Sequence, residues 1–381
     1  MVTEIQTNCE KKQKVVAVFL DLSKAFDTCD RGVLVRRLFE LGVKGRSLQW
    51  FRSFLDHRRQ FVNESKVKSS MMSIDFGVIQ GSTLGPTLFN CYVNNLKDLP
   101  LHGKLYMFAD DIVLIYASNS YDQLQNLINE DLCTLHRWMN QHKLTVNIGK
   151  TKFMIFNERK NIQMNIFYNR EKLELVKSFK YLGVFIDSEL RWTVHIRNLT
   201  VKLARIAGVF RKLNHVLPES TKRTLYYSLF HSSMVYGICV WGAASSTVLK
   251  PLQVIQNKAI KNLFGYRPTT LTQFFHIHPR LLTVENLYRI VACMHIHQIM
   301  NGLVHSCIMP TRSSDRHQHM NCGRDQLSTN RINTTNFGQN SALRKAVMLY
   351  NQLEENLKLL NINLFEKQLK QETLEGQSYS S

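Results

Sequence analysis

Residues 105–116, Leu-Tyr-Met-Phe-Ala-Asp-Asp-Ile-Val-Leu-Ile-Tyr, put two adjacent carboxylates, Asp110 and Asp111, at the tip of an otherwise apolar strand-turn-strand pattern. Crowded ionised carboxylates are costly unless a cation neutralises them, and hard divalent ions with oxygen ligands are the natural partners. The tip reads as half of a metal site. Upstream, Val15-Val16-Ala17-Val18-Phe19-Leu20 is apolar on both faces, as a strand in a covered sheet must be, and it ends in Asp21. If the two runs are neighbouring strands, Asp21 and Asp110 stand side by side. They could then bridge a pair of Mg²⁺ ions ~3.5–4 Å apart, the arrangement used for in-line phosphoryl or nucleotidyl displacement. Three carboxylates on two strands therefore suggest nucleotidyl transfer.

Around these residues the wording of the chain carries a resemblance. The run Phe19-Leu20-Asp21-Leu22-Ser23-Lys24-Ala25-Phe26-Asp27, then Gly77-Val78-Ile79-Gln80-Gly81-Ser82-Thr83-Leu84-Gly85-Pro86, then Phe108-Ala109-Asp110-Asp111 resemble the consecutive palm motifs of reverse transcriptases. The nearest wording is that of non-LTR retrotransposons of the LINE class, jockey-like. Leu144-Thr145-Val146-Asn147 with Lys150-Thr151-Lys152, and Phe179-Lys180-Tyr181-Leu182-Gly183, resemble the two later palm motifs, in the same order.

The resemblance implies roles. Asp21 and Asp110 become the principal metal ligands, with Asp111 a weaker one because adjacent strand residues point to opposite faces. The implied cofactor is a pair of Mg²⁺ ions, with Mn²⁺ as a substitute. Phe26 matches the position whose ring packs under the sugar and excludes a 2′-hydroxyl, the group that separates ribo- from deoxyribonucleotides. Gln80, Gly81 and Ala109 lie where the backbone approaches the incoming nucleotide and template, Lys150 is the candidate to protonate the leaving pyrophosphate or stabilise its charge, and Tyr181, Leu182 and Gly183 would line the primer grip. The activity implied is RNA-directed DNA polymerase, with an RNA template, a DNA primer and deoxynucleoside triphosphates as partners. The alternative is a catalytically silent nucleic-acid-binding relic. Because the Asp21 strand lies so near residue 1, the family's preceding fingers segment and N-terminal endonuclease are expected to be missing. Such a chain reads as a 5′-truncated copy whose extension activity is impaired.

Composition agrees with a nucleic-acid partner. The chain has 381 residues, 44% of them hydrophobic, enough for two or three domains with real cores. Lys plus Arg outnumber Asp plus Glu by 49 to 29, giving a formal charge of +20, the footprint of a phosphate-backbone binder. No apolar run approaches the ~20 residues needed to span a bilayer, and residues 1–14 lack the apolar centre of a secretory signal. The expected location is intracellular, nuclear or cytoplasmic. Eight cysteines are dispersed with no Cys-x-x-Cys pair, and the one tempting cluster, Cys307, His317, His319 and Cys322, has a spacing that fits no common zinc finger.

Periodicity then organises the rest. Strand-helix alternation over 1–187 predicts an α/β (α+β) fold, a mixed or antiparallel sheet backed by helices, which the resemblance implies is a polymerase palm with partial fingers. Asp30 is a plausible N-cap for a helix carrying Val33, Leu34, Leu38 and Leu41, a second helix runs from Ser47 to Leu55, and Leu124, Ile128, Leu132, Leu135 and Trp138 stripe another. Residues 188–265 predict long helices with a basic face, and the resemblance implies that this region is the thumb, with Lys202, Arg205, Arg211 and Lys212 as duplex-binding candidates. Residues 266–381 predict a helical C-terminal region, with a flexible linker at about 311–339 and a final helix from Ala342 to Leu369.

Overall fold

The computed structural model describes residues 1–65, 67–158, 162–267, 281–304, 311–312, 327–328 and 335–379. Two compact units emerge, one of residues 13–177 and one that joins residues 1–12 to 178–381.

The first unit is built on a five-stranded sheet. Strand β1 (Lys14–Asp21) is followed by helices α1 (Arg31–Glu40) and α2 (Gly45–Leu55), then by an exposed ribbon of β2 (Arg58–Gln60) and β3 (Met72–Ile74). Helix α3 (Gly85–Val93), the hairpin β4 (Lys104–Phe108) and β5 (Asp111–Ser118), helix α4 (Tyr121–Gln141), β6 (Lys152–Phe156) and β7 (Glu174–Leu175) complete it. The spatial order is β7-β6-β1-β5-β4. All pairings are antiparallel except β6 with β7, so the sheet is mixed, as predicted.

β1 lies at the centre, and its six residues Val15 to Leu20 are all buried, which is why that run had to be apolar on both faces. α3 and α4 supply Phe89, Tyr92, Leu124, Ile128, Leu132 and Leu135 to the same core, each such side chain removing enough apolar area to stabilise by ~1.5–3 kcal/mol. The Asp30 cap forms as predicted, its Oδ1 accepting from Val33 N at 2.8 Å. Lys143 Nζ donates to the other oxygen at 2.5 Å.

The second unit takes in the helix Val2–Glu10 and, from residue 178, a hairpin of β8 (Ser178–Tyr181) and β9 (Val184–Asp187), followed by the main helices α5 (Thr193–Leu213), α6 (Ser246–Phe264), α7 (Val284–Met300), α8 (Ala342–Asn351), the short α9 (Glu355–Lys358) and α10 (Ile362–Tyr379). The apolar stripe of α5, Leu199, Leu203, Ala207 and Phe210, is buried, and α5 packs along α6. Three helices stand where one was predicted from Ala342 to Leu369. The breaks are local: Leu353 N donates to Tyr350 O in a closing turn, and Asn361 restarts the chain by accepting from Leu364 N at 3.1 Å, an N-cap the apolar stripe does not reveal. Within the predicted 311–339 linker, residues 335–339 form a single helical turn. Most of that linker lies outside the described residues, as do Cys307, His317, His319 and Cys322. No helix among the described residues is long and apolar enough to cross a membrane.

Candidate active site

Three carboxylates meet at one end of the central strand pair. β1 and β5 run antiparallel in a register that sets Asp21 opposite Asp111, so both side chains leave the same face of the sheet. Asp110 occupies the two-residue turn joining β4 to β5, where Phe108 pairs with Asp111. The expectation from sequence sets Asp110 beside Asp21 and gives Asp111 the lesser place. The register makes Asp111 the direct neighbour and sets Asp110 at the hairpin tip.

Electrostatics bind the three together. The Asp111 carboxyl is held above its ordinary pKa, first by partial burial, then by the negative charges of Asp110 and Asp21. Such a cluster favours a cation. The residue before it, Ala109, has φ +53°, a left-handed conformation that normally selects glycine in a tight hairpin and costs an alanine ~1–2 kcal/mol. Backbone strain of this kind clusters at functional sites.

The strand end is clamped from the other side by the segment at 144–152. Ser23 N donates to Thr145 O at 2.8 Å, Asn147 N to Asp21 O at 2.7 Å, and Asp21 N to the buried Thr151 hydroxyl at 3.2 Å. In the sequence Thr151 and Asn147 stand out only as parts of a motif; their positioning of Asp21 comes from the fold, and the one local signal is their nearness to Lys150. Lys150 Nζ lies 3.7 Å from Asp21 Oδ2 with most of its side chain in solvent.

Phe26 is half-buried. Its ring stacks on Phe89 of α3 at 4.4 Å with a 25° interplanar angle. The loop at 77–81 is stitched to the same segment: Gly77 N donates to Cys29 O at 2.7 Å and Val78 N to Phe26 O at 2.9 Å. Gly77 has φ +84°, and a Cβ there would sit 2.8 Å from Asp27 O. Arg31 holds the loop from behind, donating to the carbonyls of Ile74, Phe76 and Gly77. Gln80 Nε2 donates to Asp27 Oδ1 at 2.7 Å, which gives Asp27 the task of orienting Gln80. Sequence reasoning misses both roles, because the partners of Arg31 and Asp27 are 43 to 53 positions away. Gly81, at φ +76°, faces open space where a Cβ would be. Among the described residues no three His, Cys, Asp or Glu side chains are arranged to hold a metal ion by themselves.

Asp21, Phe26, Gln80, Gly81, Ala109, Asp110, Asp111 and Lys150 thus all belong to the first unit. Tyr181, Leu182 and Gly183 belong to the second, at the tip of the β8-β9 hairpin. Leu182 and Gly183 both have positive φ, the signature of the tight turn that matches strand twist, and Tyr236 donates its hydroxyl to Leu182 O at 2.7 Å. Lys202, Arg205, Arg211 and Lys212 are all on α5 and are not among its buried residues.

Residues 1–186 match the family model described as reverse transcriptase (RNA-dependent DNA polymerase). This stretch of the chain is a reverse transcriptase domain. The chain's relatives are those of LINE-class, non-LTR elements. It is 26% identical over 299 residues to the probable RNA-directed DNA polymerase from transposon X-element of Drosophila melanogaster, covering 74% of this chain and 32% of that protein. It is 26% identical over 278 residues to the RNA-directed DNA polymerase from mobile element jockey of the same organism, covering 67% of this chain and 29% of that protein. The chain therefore matches about a third of the length of these relatives. Among solved structures it is similar to apo telomerase from Candida tropicalis, at 10% identity and a TM-score of 0.38, covering 80% of this chain and 54% of that one.

Proposed function

We propose that this reverse transcriptase chain is an RNA-directed DNA polymerase that joins deoxynucleotides to a primer 3′-hydroxyl on an RNA template. The observation that carries the reading is the gathering of Asp21, Asp110 and Asp111 at the end of the buried β1-β5 pair, with the Lys150 ammonium 3.7 Å from Asp21. The raised Asp111 carboxyl supports a divalent cation there, since a cation would offset both the burial and the like-charge repulsion that raise it. Asp21, Asp110 and Asp111 would hold Mg²⁺, which is usually bound through one or two carboxylates plus substrate phosphates rather than an all-protein cage. When bound, the metal supplies charge neutralisation at the attacking and leaving oxygens.

The chain's own residues do the rest. Lys150 stabilises charge on the departing pyrophosphate and can give it a proton. The ring of Phe26, held by Phe89, occupies the place of a 2′-hydroxyl. Gln80, fixed by Asp27, and the open backbone at Gly81 receive the nucleotide, and Ala109 sets the hairpin that carries Asp110. Tyr181, Leu182 and Gly183 hold the primer strand, and the basic face of α5 meets duplex phosphates. Primer extension on poly(A)/oligo(dT) with Mg²⁺ tests the reading, with the Asp110→Asn variant as control. Extension by the parent and none by the variant supports it. Template binding with no extension by either leaves only a nucleic-acid-binding protein.

A further inference from the structure

The second unit contains a cavity of about 890 Å³ that the palm chemistry does not use. Its walls come from the starts of three helices: Ser246, Leu249 and Lys250 on α6, Val284 and Glu285 on α7, and Arg344 and Lys345 on α8. Each helix start carries a partial positive charge, which falls off within the first turn. Thr283 and Ser341 cap two of them, accepting from Asn286 N and Arg344 N, whereas the start at Ser246 has no side-chain cap. Four cationic side chains, Lys250, Arg289, Arg344 and Lys345, stand in the lining against the single carboxylate of Glu285.

Two of the lining groups are buried without a partner. Among the described residues the Arg289 Nε and the Tyr288 hydroxyl find no hydrogen-bond partner, and Tyr288 is only 6% exposed. Buried donors of this kind cost ~1–3 kcal/mol each when left unmet, so a site that keeps them does so most economically when a ligand oxygen meets them. Lys345, by contrast, is anchored, its ammonium donating to Ala243 O at 2.7 Å. Leu249 and Met348 add apolar wall beside these charges. The volume falls within the ~300–1,000 Å³ of ordinary ligand sites and far exceeds a lone inorganic anion.

We propose that this cavity is a second nucleic-acid site, taking the phosphate of a nucleotide unit of a single strand on Lys250, Arg289 and Arg344, with the sugar or base against Leu249 and Met348. A free nucleotide offers the same phosphate chemistry, and the test separates the two sources. Because every lining residue lies in the second unit, the proposal stands or falls apart from the carboxylate site.

The full chain is irradiated with thiouridine-substituted oligo(U), and the attached peptides are mapped by mass spectrometry with and without excess ATP. The expected result is attachment within residues 246–253, 284–289 or 339–352, lost in Lys250→Glu and in Arg289→Gln and kept in Asp110→Asn. The salt dependence of oligo(U) affinity should flatten by roughly 0.7 in slope for each phosphate that is no longer neutralised. Lys250 is exposed on its helix, so Lys250→Glu keeps the test sound even if Arg289→Gln disturbs folding. Persistence of the attachment under ATP supports a strand as ligand; its loss under ATP at low concentration overturns the strand in favour of a free nucleotide. Attachment only elsewhere, or attachment indifferent to both substitutions, overturns the site altogether.

Discussion

A carboxylate whose pKa is raised by burial and by neighbouring charges makes the folded chain hold a proton that the unfolded chain releases. For Asp111, stability therefore falls as pH climbs from the ordinary carboxylate range to its raised value, and stays lowered above it. Asp111→Asn should unfold at a higher temperature than the parent at neutral pH, with the gain vanishing below about pH 4, where the parent's carboxyls are protonated as well. Equal midpoints at neutral pH would show that neither burial nor the neighbouring charges penalise the ionised Asp111. Mg²⁺ should stabilise the parent more than the variant, by up to ~2.7 kcal/mol at a hundredfold excess over its dissociation constant. At the same scale, Asp110→Asn should abolish nucleotide addition and leave template binding nearly unchanged, since binding rests on Lys and Arg. Phe26→Val should raise incorporation of ribonucleotides relative to deoxyribonucleotides and lose the ~0.5–1.5 kcal/mol of its stacking on Phe89. An unchanged nucleotide ratio in an active enzyme would leave Phe26 a core residue and nothing more.

Elements act here by holding loops against one another. The 77–81 loop has no regular structure of its own, yet it is fixed by two backbone bonds to the Phe26 segment and by Arg31. Gly77→Ala forces a Cβ to within 2.8 Å of Asp27 O at a positive φ, so it should destabilise by on the order of 1–3 kcal/mol. Because the same loop carries Gln80, the variant should also lose nucleotide affinity, read as a higher KM for deoxynucleotides in primer extension; a pure stability loss with KM intact would detach the loop from substrate. The α5 face makes a second prediction. Replacing Lys202, Arg205, Arg211 and Lys212 with Ala should weaken duplex binding and reduce its salt slope by up to ~0.9 for each phosphate that loses its cationic partner, whereas a fixed slope would mean that these side chains only face solvent.

At the scale of the whole molecule, the +20 charge is spread over both units rather than confined to one tail. The chain pairs a nearly fully apolar palm core with helices whose outer faces carry Lys and Arg. Affinity for nucleic acid of any sequence should consequently fall steeply and linearly with the logarithm of salt concentration. A binding constant that hardly moves with salt would mean that shape or base contacts, and not phosphates, dominate.

Much of the palm is legible in the sequence because its signals are local. A central strand covered on both faces must be a continuous apolar run, so Val15 to Leu20 announces itself, and an Asp-Asp pair between two such runs announces a turn. Asp30 as a cap and the stripe from Leu124 to Trp138 are likewise written within a few turns of helix. Register is different. Side chains alternate with period two, so a slip of one residue exchanges the face on which a carboxylate lies, and only strand pairing decides that Asp111 opposes Asp21 while Asp110 sits in the turn. The Asp27-Gln80 bond, the Arg31 clamp and the cationic cavity shared by three helices are likewise decided by tertiary structure. Each depends on groups brought together from distant positions, and such meetings leave no period in the sequence.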